Sequence, residues 1–151
     1  MRLLLVAVLS TAACAGTQLP APSAPLQYSC DGHTLTRNGD SLAGPVSILL
    51  ERHADDGDVF VSTTGDRRIT VPHDPRRDAI EQVTTSEAAV QRTRRQVCRV
   101  HGGYSDMLVR YTAGVSLDQL AAEETHGDRD AAYQLVRRGL LDQQSRLHHD
   151  R

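Results

Sequence analysis

Residues 76–99 read RRDAIEQVTTSEAAVQRTRRQVCR, without a glycine or a proline. How this stretch folds decides the class of the protein, because the chain on its N-terminal side reads mostly as strand and the chain on its C-terminal side mostly as helix. In front of it Asp74-Pro75 fits a helix start, with the proline at a first position where its missing N–H costs nothing. The residues of the stretch itself are helix-compatible, and Gly102-Gly103 beyond them fits a helix stop. The spacing therefore predicts a mainly helical segment over 76–99. Its apolar stripe of Ile80, Val83, Val90 and Val97 is broken by Glu87 and Arg94, which puts the helix on the surface with a break near Thr84-Thr85-Ser86.

Working back toward the N-terminus, residues 46–51, 58–63 and 67–71 are rich in β-branched side chains, and turn formers at Asp56-Gly57 and Gly65-Asp66 separate them. They predict a three-stranded meander. Residues 26–29 and 33–37 flank Asp31-Gly32, a favoured turn pair, and predict a short hairpin ahead of it. Pro72 and Pro75 close the sheet region. Toward the C-terminus, residues 107–111 read as one more strand, and Ser116 caps a short helix through Glu124. Near Asp128 a helix begins in which Ala132, Leu135, Val136, Gly139 and Leu140 follow the spacing of a single buried face. That face is expected to cover the sheet made by Ile48, Leu50, Phe60 and Ile69, or, as a detachable arm, to dock a partner through Leu135 and Leu140. The expected fold is α+β, a small antiparallel sheet followed by two or three helices, tied by one disulfide.

The first residues indicate a compartment. Arg2 precedes the apolar run Leu3 to Leu9, which is too short to span a bilayer and reads as a secretory signal. Thr11-Ala12-Ala13-Cys14 then resembles a bacterial lipobox. The resemblance implies a lipoprotein signal peptide over 1–13 and lipidation of Cys14; a plain signal peptide cleaved near Ala13 or Ala15 is the alternative. Ala15, rather than Asp, after the cysteine implies delivery to the outer membrane, facing the periplasm. Residues 14–27, with Pro20, Pro22 and Pro25, form a Pro/Ala-rich tether. Residues 28–151 form a single domain.

Cysteine usage agrees with export. With Cys14 carrying lipid, Cys30 and Cys98 remain as an even pair, which an oxidising compartment converts to a disulfide. A reactive Cys98 with His101 nearby is the alternative. All seventeen basic residues are arginine, nineteen acids give a net charge of −2, and no strong field draws the chain to nucleic acid. There is no Trp, and Phe60 is the only Phe.

No motif assembles a catalytic set. His101-Gly102-Gly103 with Ser105 and Asp106 lacks the Gly-x-Ser-x-Gly elbow of a hydrolase. Asp55-Asp56-Gly57-Asp58 does not have EF-hand spacing, since Phe60 stands where an oxygen ligand is needed. His53, His73 and His126 lie in polar turns, His148-His149 sits in a fraying tail, and no zinc-ligand pair is present. Residues 115–141 loosely resemble a helix-turn-helix, but an exported chain does not meet DNA. No metal and no cofactor are expected, and the chain reads as a non-enzyme.

Tyr28-Ser29-Cys30-Asp31-Gly32, just after an anchor and a tether, is similar to the opening of the membrane-bound inhibitors of c-type lysozyme, small disulfide-bridged β-barrel lipoproteins. The likeness covers about five residues. The family's later Ser/Gly-rich loop, which enters the lysozyme cleft, has no counterpart in this chain, and a helical second half departs from an all-β barrel. Two functions are therefore expected: an envelope accessory protein that works by interaction with another envelope protein, or an inhibitor or immunity-like protein against a peptidoglycan-cleaving enzyme.

Overall fold

The computed structural model describes residues 19–150. Cys14 lies outside them. Eight strands run β1 (Gln27–Cys30), β2 (His33–Asn38), β3 (Ser41–Ala43), β4 (Ile48–Ala54), β5 (Gly57–Ser62), β6 (Arg67–Pro72), β7 (Ala79–Glu87) and β8 (Val90–Val100). Each pairs antiparallel with the next, and β1 returns to β8 through Tyr28↔Val100 and Ser29↔Arg99, so the sheet is a closed barrel. Three helices come after β8: α1 (Tyr104–Thr112), α2 (Leu117–Glu124) and α3 (Arg129–His149).

The closed barrel corrects the expected small sheet. Residues 76–99 are not a helix; they are the β6–β7 connection and most of the β7–β8 hairpin, the longest in the molecule. Its turn is the reason the sequence reads otherwise. Ala88 and Ala89 both take positive φ, 48° and 64°. A two-residue hairpin turn of this kind normally carries Asn or Gly, because an L side chain is strained there. With alanines in the turn, and with Glu, Gln and Arg along exposed strands, local propensity favours helix while ladder pairing from Ala79↔Cys98 to Glu87↔Val90 imposes strand. Pro72 and Pro75 therefore do not close the sheet.

Residues 107–111 are helix and not strand, within α1, and Gly103 is the helix N-cap rather than a stop. Other expected elements are present: β1 and β2 flank Asp31-Gly32, and β4, β5 and β6 form the meander. Ser116 caps α2, its Oγ accepting from the Gln119 N–H at 3.1 Å, and Asp128 caps α3, accepting from the Ala131 N–H at 3.0 Å.

Alternation along the strands fills the barrel. Tyr28, Leu35, Leu42, Ile48, Phe60, Ile69, Val71, Ala79, Cys98 and Val100 form one core, with Leu50 packed against it. Because Ile48, Phe60 and Ile69 are enclosed by the barrel itself, they offer no surface for a helix to cover. α3 packs instead on α1 and α2, burying Leu135 and Ala132 with Met107 and Leu120 in a second core. The expected packing of α3 on the sheet is thus corrected. Gly139 allows the close crossing, since a Cβ there would collide with the Tyr104 carbonyl.

Residues 19–26 are fastened to both parts. Leu19 packs against the helical core and Leu26 against the barrel core. The Pro20 carbonyl accepts from Arg76 Nη2 at 2.8 Å and Nε at 3.2 Å. Among the described residues no helix is long and apolar enough to cross a membrane.

Candidate functional site

The barrel has two unlike ends. At one, the chain turns at Asp31-Gly32, at 63–66 and at Ala88-Ala89; at the other, it leaves β8 for the helices. The first end holds a buried carboxylate. Glu81 faces inward from β7 and is fully buried, with Oε1 at 3.1 Å from His33 Nε2 and 3.2 Å from Arg67 Nη1. Its other oxygen accepts from the Gln96 side-chain amide, directly across the ladder. The Cys98 sulfur stands 3.9 Å away, but it has no proton to donate because it is bonded to Cys30. Three donors around one carboxylate meet the requirement for holding a charge inside a barrel. They also fix the directions of His33, Arg67 and Gln96.

Those three side chains line a groove of about 520 Å³, which Thr85, Arg92 and Arg94 continue. Val83, Thr85, Arg92 and Arg94 lie on the hairpin face that continues the barrel interior, as the cross-strand pairs Val83↔Arg94 and Thr85↔Arg92 require. Arg94 meets Asp31 at 2.6 Å, both side chains well exposed. Arg92 and Arg95 make no ion pair among the described residues.

Near the other end, Asp58 joins Arg37 Nη2 at 2.6 Å and His53 Nδ1 at 2.7 Å. The hydrogen bond from His53, with Arg37 adding to it, holds its carboxyl below the usual carboxylate range. Arg37 also lies over the Phe60 ring, 5.3 Å from its centroid. Burial pushes the Tyr28 phenol up to about 12, with Arg37 opposing the shift, and the Tyr28 hydroxyl has no hydrogen-bond partner.

A third polar cluster joins barrel to helices. Arg76 is buried and donates to the carbonyls of Pro20, Gly102 and Glu124. The Glu124 carboxylate faces Arg110 at 2.8 Å and His101 Nε2 at 3.2 Å. His101 Nδ1 faces Asp106 at 3.8 Å, so both ring nitrogens look at carboxylates rather than at Ser105. The Gly102 N–H binds Asp106 at 2.9 Å and the Gly103 N–H binds the Val100 carbonyl at 3.1 Å, so neither is free to receive an oxyanion.

Of the residues singled out from sequence, Cys30 and Cys98 form a disulfide across a separation of 68 residues. Leu135 is buried in the helical core and Leu140 is exposed, so the two do not share one surface. The charged groove of His33, Arg67, Arg92 and Arg94 around Glu81 escaped sequence reading. Its signal was the period-two placement of Glu81 beside Ala79 and Val83, which is legible only once that segment is read as strand. Cys30, Glu81 and Cys98 bring ligand-type atoms within 4.8 Å of one another, but the disulfide uses both sulfurs. No known protein-family model, curated protein or solved structure matches the chain.

Proposed function

We propose that this chain is a lipid-anchored protein of the bacterial envelope that acts by binding, and that its target is a peptidoglycan-cleaving enzyme. The observation that carries this reading is the closed eight-stranded barrel in which Cys30 of β1 is bonded to Cys98 of β8. The segment Tyr28 to Gly32, similar to the opening of the membrane-bound lysozyme inhibitors, forms β1 and its first turn. The helical second half that argued against that likeness is absent from 76–99. The set of three helices after β8 still departs from the likeness.

The anchor supports a direction for binding. Only residues 15–18 separate Cys14 from Leu19, a reach of about 15–20 Å when fully extended. Leu19 and Pro20 are fastened beside Arg76, at the helical end of the barrel. A lipid on Cys14 would hold that end against the membrane and leave the groove around Glu81 pointing outward.

Two measurements test the reading. Purified full-length protein in detergent, titrated into a c-type lysozyme acting on a peptidoglycan suspension, should stop the fall in turbidity at near-stoichiometric ratios. Unimpeded clearing at a large molar excess would reject the target. Cys14→Ser should move the protein from the membrane fraction into the soluble periplasmic fraction. A wild type already soluble after export would reject the anchor.

A further inference from the structure

α3 carries apolar side chains on two faces. Ala132, Leu135, Val136 and Gly139 are buried on its inward face, where the helix packs on α1 and α2. Tyr133, Leu140 and Leu147 point the other way and are 51 %, 45 % and 62 % exposed. Seven residues are nearly two helical turns, so these three line up in one stripe about 21 Å long, and Leu141 widens it. From Leu141 to His149 no residue is buried, so the helix runs on past the second core. Of the ten large apolar side chains exposed among the described residues, six belong to α1 and α3: Val109, Tyr111, Tyr133, Leu140, Leu141 and Leu147. Apolar surface gathered at one end of a molecule, and in one stripe of a helix that already has its core face, marks a contact with something outside the chain.

The stripe is edged by positive charge. On a chain of net charge −2, α3 holds Arg129, Arg137, Arg138 and Arg146 against Asp130 and Asp142. Asp142 is taken by Arg138 at 3.4 Å and Arg77 at 3.5 Å, which leaves Asp130 in the first turn as the acid beside the stripe. Arg137 lies within the stripe, one turn before Leu140 and Leu141, and makes no ion pair among the described residues. Arg129 meets Asp118 at 3.4 Å, but both side chains are well exposed and solvent screens the pair. An apolar stripe whose arginines can lay their stems along it and reach outward with their charge suits the headgroup layer of an anionic bilayer. Tyr133, apolar in its ring and polar at its tip, suits the same layer.

The chain ahead of Leu19 selects the occupant. Leu19 packs on the helical core, and with residues 15–18 between them Cys14 stays within about 15–20 Å of it. A lipid on Cys14 would therefore keep the three helices at the bilayer surface. Resting on the lipid anchor proposed above, but not on the enzyme target, we propose that α3 is a second membrane contact. Its Tyr133, Leu140 and Leu147 stripe lies in the headgroup layer, with Arg129 and Arg137 toward anionic headgroups. A lipid alone fixes one point and leaves the domain free to swing about it. A helix face laid on the surface also fixes the tilt, and so the direction in which the barrel projects.

The chain has no Trp, so a single introduced one reports its surroundings without background. Full-length Leu140→Trp, Leu147→Trp and Val90→Trp, each purified from membranes, are reconstituted into vesicles of phosphatidylethanolamine and phosphatidylglycerol, with and without bromine near the top of the acyl chains. Leu140→Trp and Leu147→Trp should each lose about half of their emission to the bromines, because an interfacial helix sinks its apolar face to that depth. Val90→Trp, at a site 56 % exposed beside the Ala88-Ala89 turn at the other end of the barrel, should keep its emission. All three positions are exposed, so each variant should keep the wild-type thermal transition. Protein that floats with the vesicles while Leu140→Trp and Leu147→Trp are quenched no more than Val90→Trp overturns the α3 contact and leaves the anchor standing. Protein that does not float with the vesicles overturns the anchor and the α3 contact together.

Discussion

Ala88 and Ala89 sit side by side in the left-handed region, at φ 48° and 64°, and by doing so turn a helix-like sequence into the longest hairpin of a closed barrel. Each alanine bears a cost of about 1 kcal/mol there. Ala88→Asn combined with Ala89→Gly should therefore stabilise the protein by about 1–2 kcal/mol in urea unfolding. In a helix the same pair would destabilise by a similar amount. The sign of the change distinguishes hairpin from helix.

Glu81 stands fully buried between His33 and Arg67. Glu81→Leu leaves the Arg67 guanidinium and the His33 ring nitrogen facing an apolar wall. The expected loss is about 2–4 kcal/mol, less than for a wholly buried pair because Arg67 and His33 keep some access to water. Glu81→Gln should cost less than Glu81→Leu, since its carbonyl still accepts. Equal, small effects from both would show that the carboxylate does not organise the groove.

Leu135 and Leu140 lie five positions apart on α3 with opposite fates. Leu135 is fully buried with Met107 and Leu120, and Leu140 is 45 % exposed. Leu135→Ala should cost about 2–5 kcal/mol and Leu140→Ala within about 0.5 kcal/mol. A large loss at Leu140 would require α3 to pack on something besides α1 and α2.

These contrasts show how far the sequence could be read. β4, β5 and β6 announce themselves through β-branched runs between Gly turns, and Ser116 and Asp128 mark their helices because a cap is a local hydrogen bond. The even cysteine pair anticipates the disulfide. Barrel closure is different, since the β1–β8 pairing joins residues some seventy apart and leaves no local pattern. Residues 107–111 fit strand or helix equally well by composition, and only the contact of Met107 with Leu120 and Leu135 decides. Glu81, Arg67 and His33 come from three strands, so no spacing in the chain could group them. The helical face of α3 was legible, but its partner was not, because the sheet expected to receive it closes on itself.

Tyr28 gives the fold an alkaline limit. Its phenol ordinarily titrates at 10.0 and is pushed up to about 12 by burial. A group whose pKa rises on folding favours the native state while it remains protonated. That contribution is complete below pH 10 and is lost as pH climbs toward 12. The Tyr104 phenol, raised to about 12 by burial and then by its bond to Asp74, adds to the same trend. Urea midpoints should therefore fall between pH 10 and 12, and Tyr28→Phe should flatten the slope. Because the Tyr28 hydroxyl has no partner, that substitution should cost little at pH 7. An unchanged slope would mean that the phenol is not shielded.

Hydrogen exchange of the full-length protein, alone and with a c-type lysozyme, tests most directly the claim that the outward end of the barrel is the binding surface. Complex formation should slow exchange at 85–94, at the Asp31-Gly32 turn and at 63–66, while the amides of α1, α2 and α3 exchange as before. Slowed exchange confined to residues 104–149, with the β7–β8 hairpin unchanged, would contradict it.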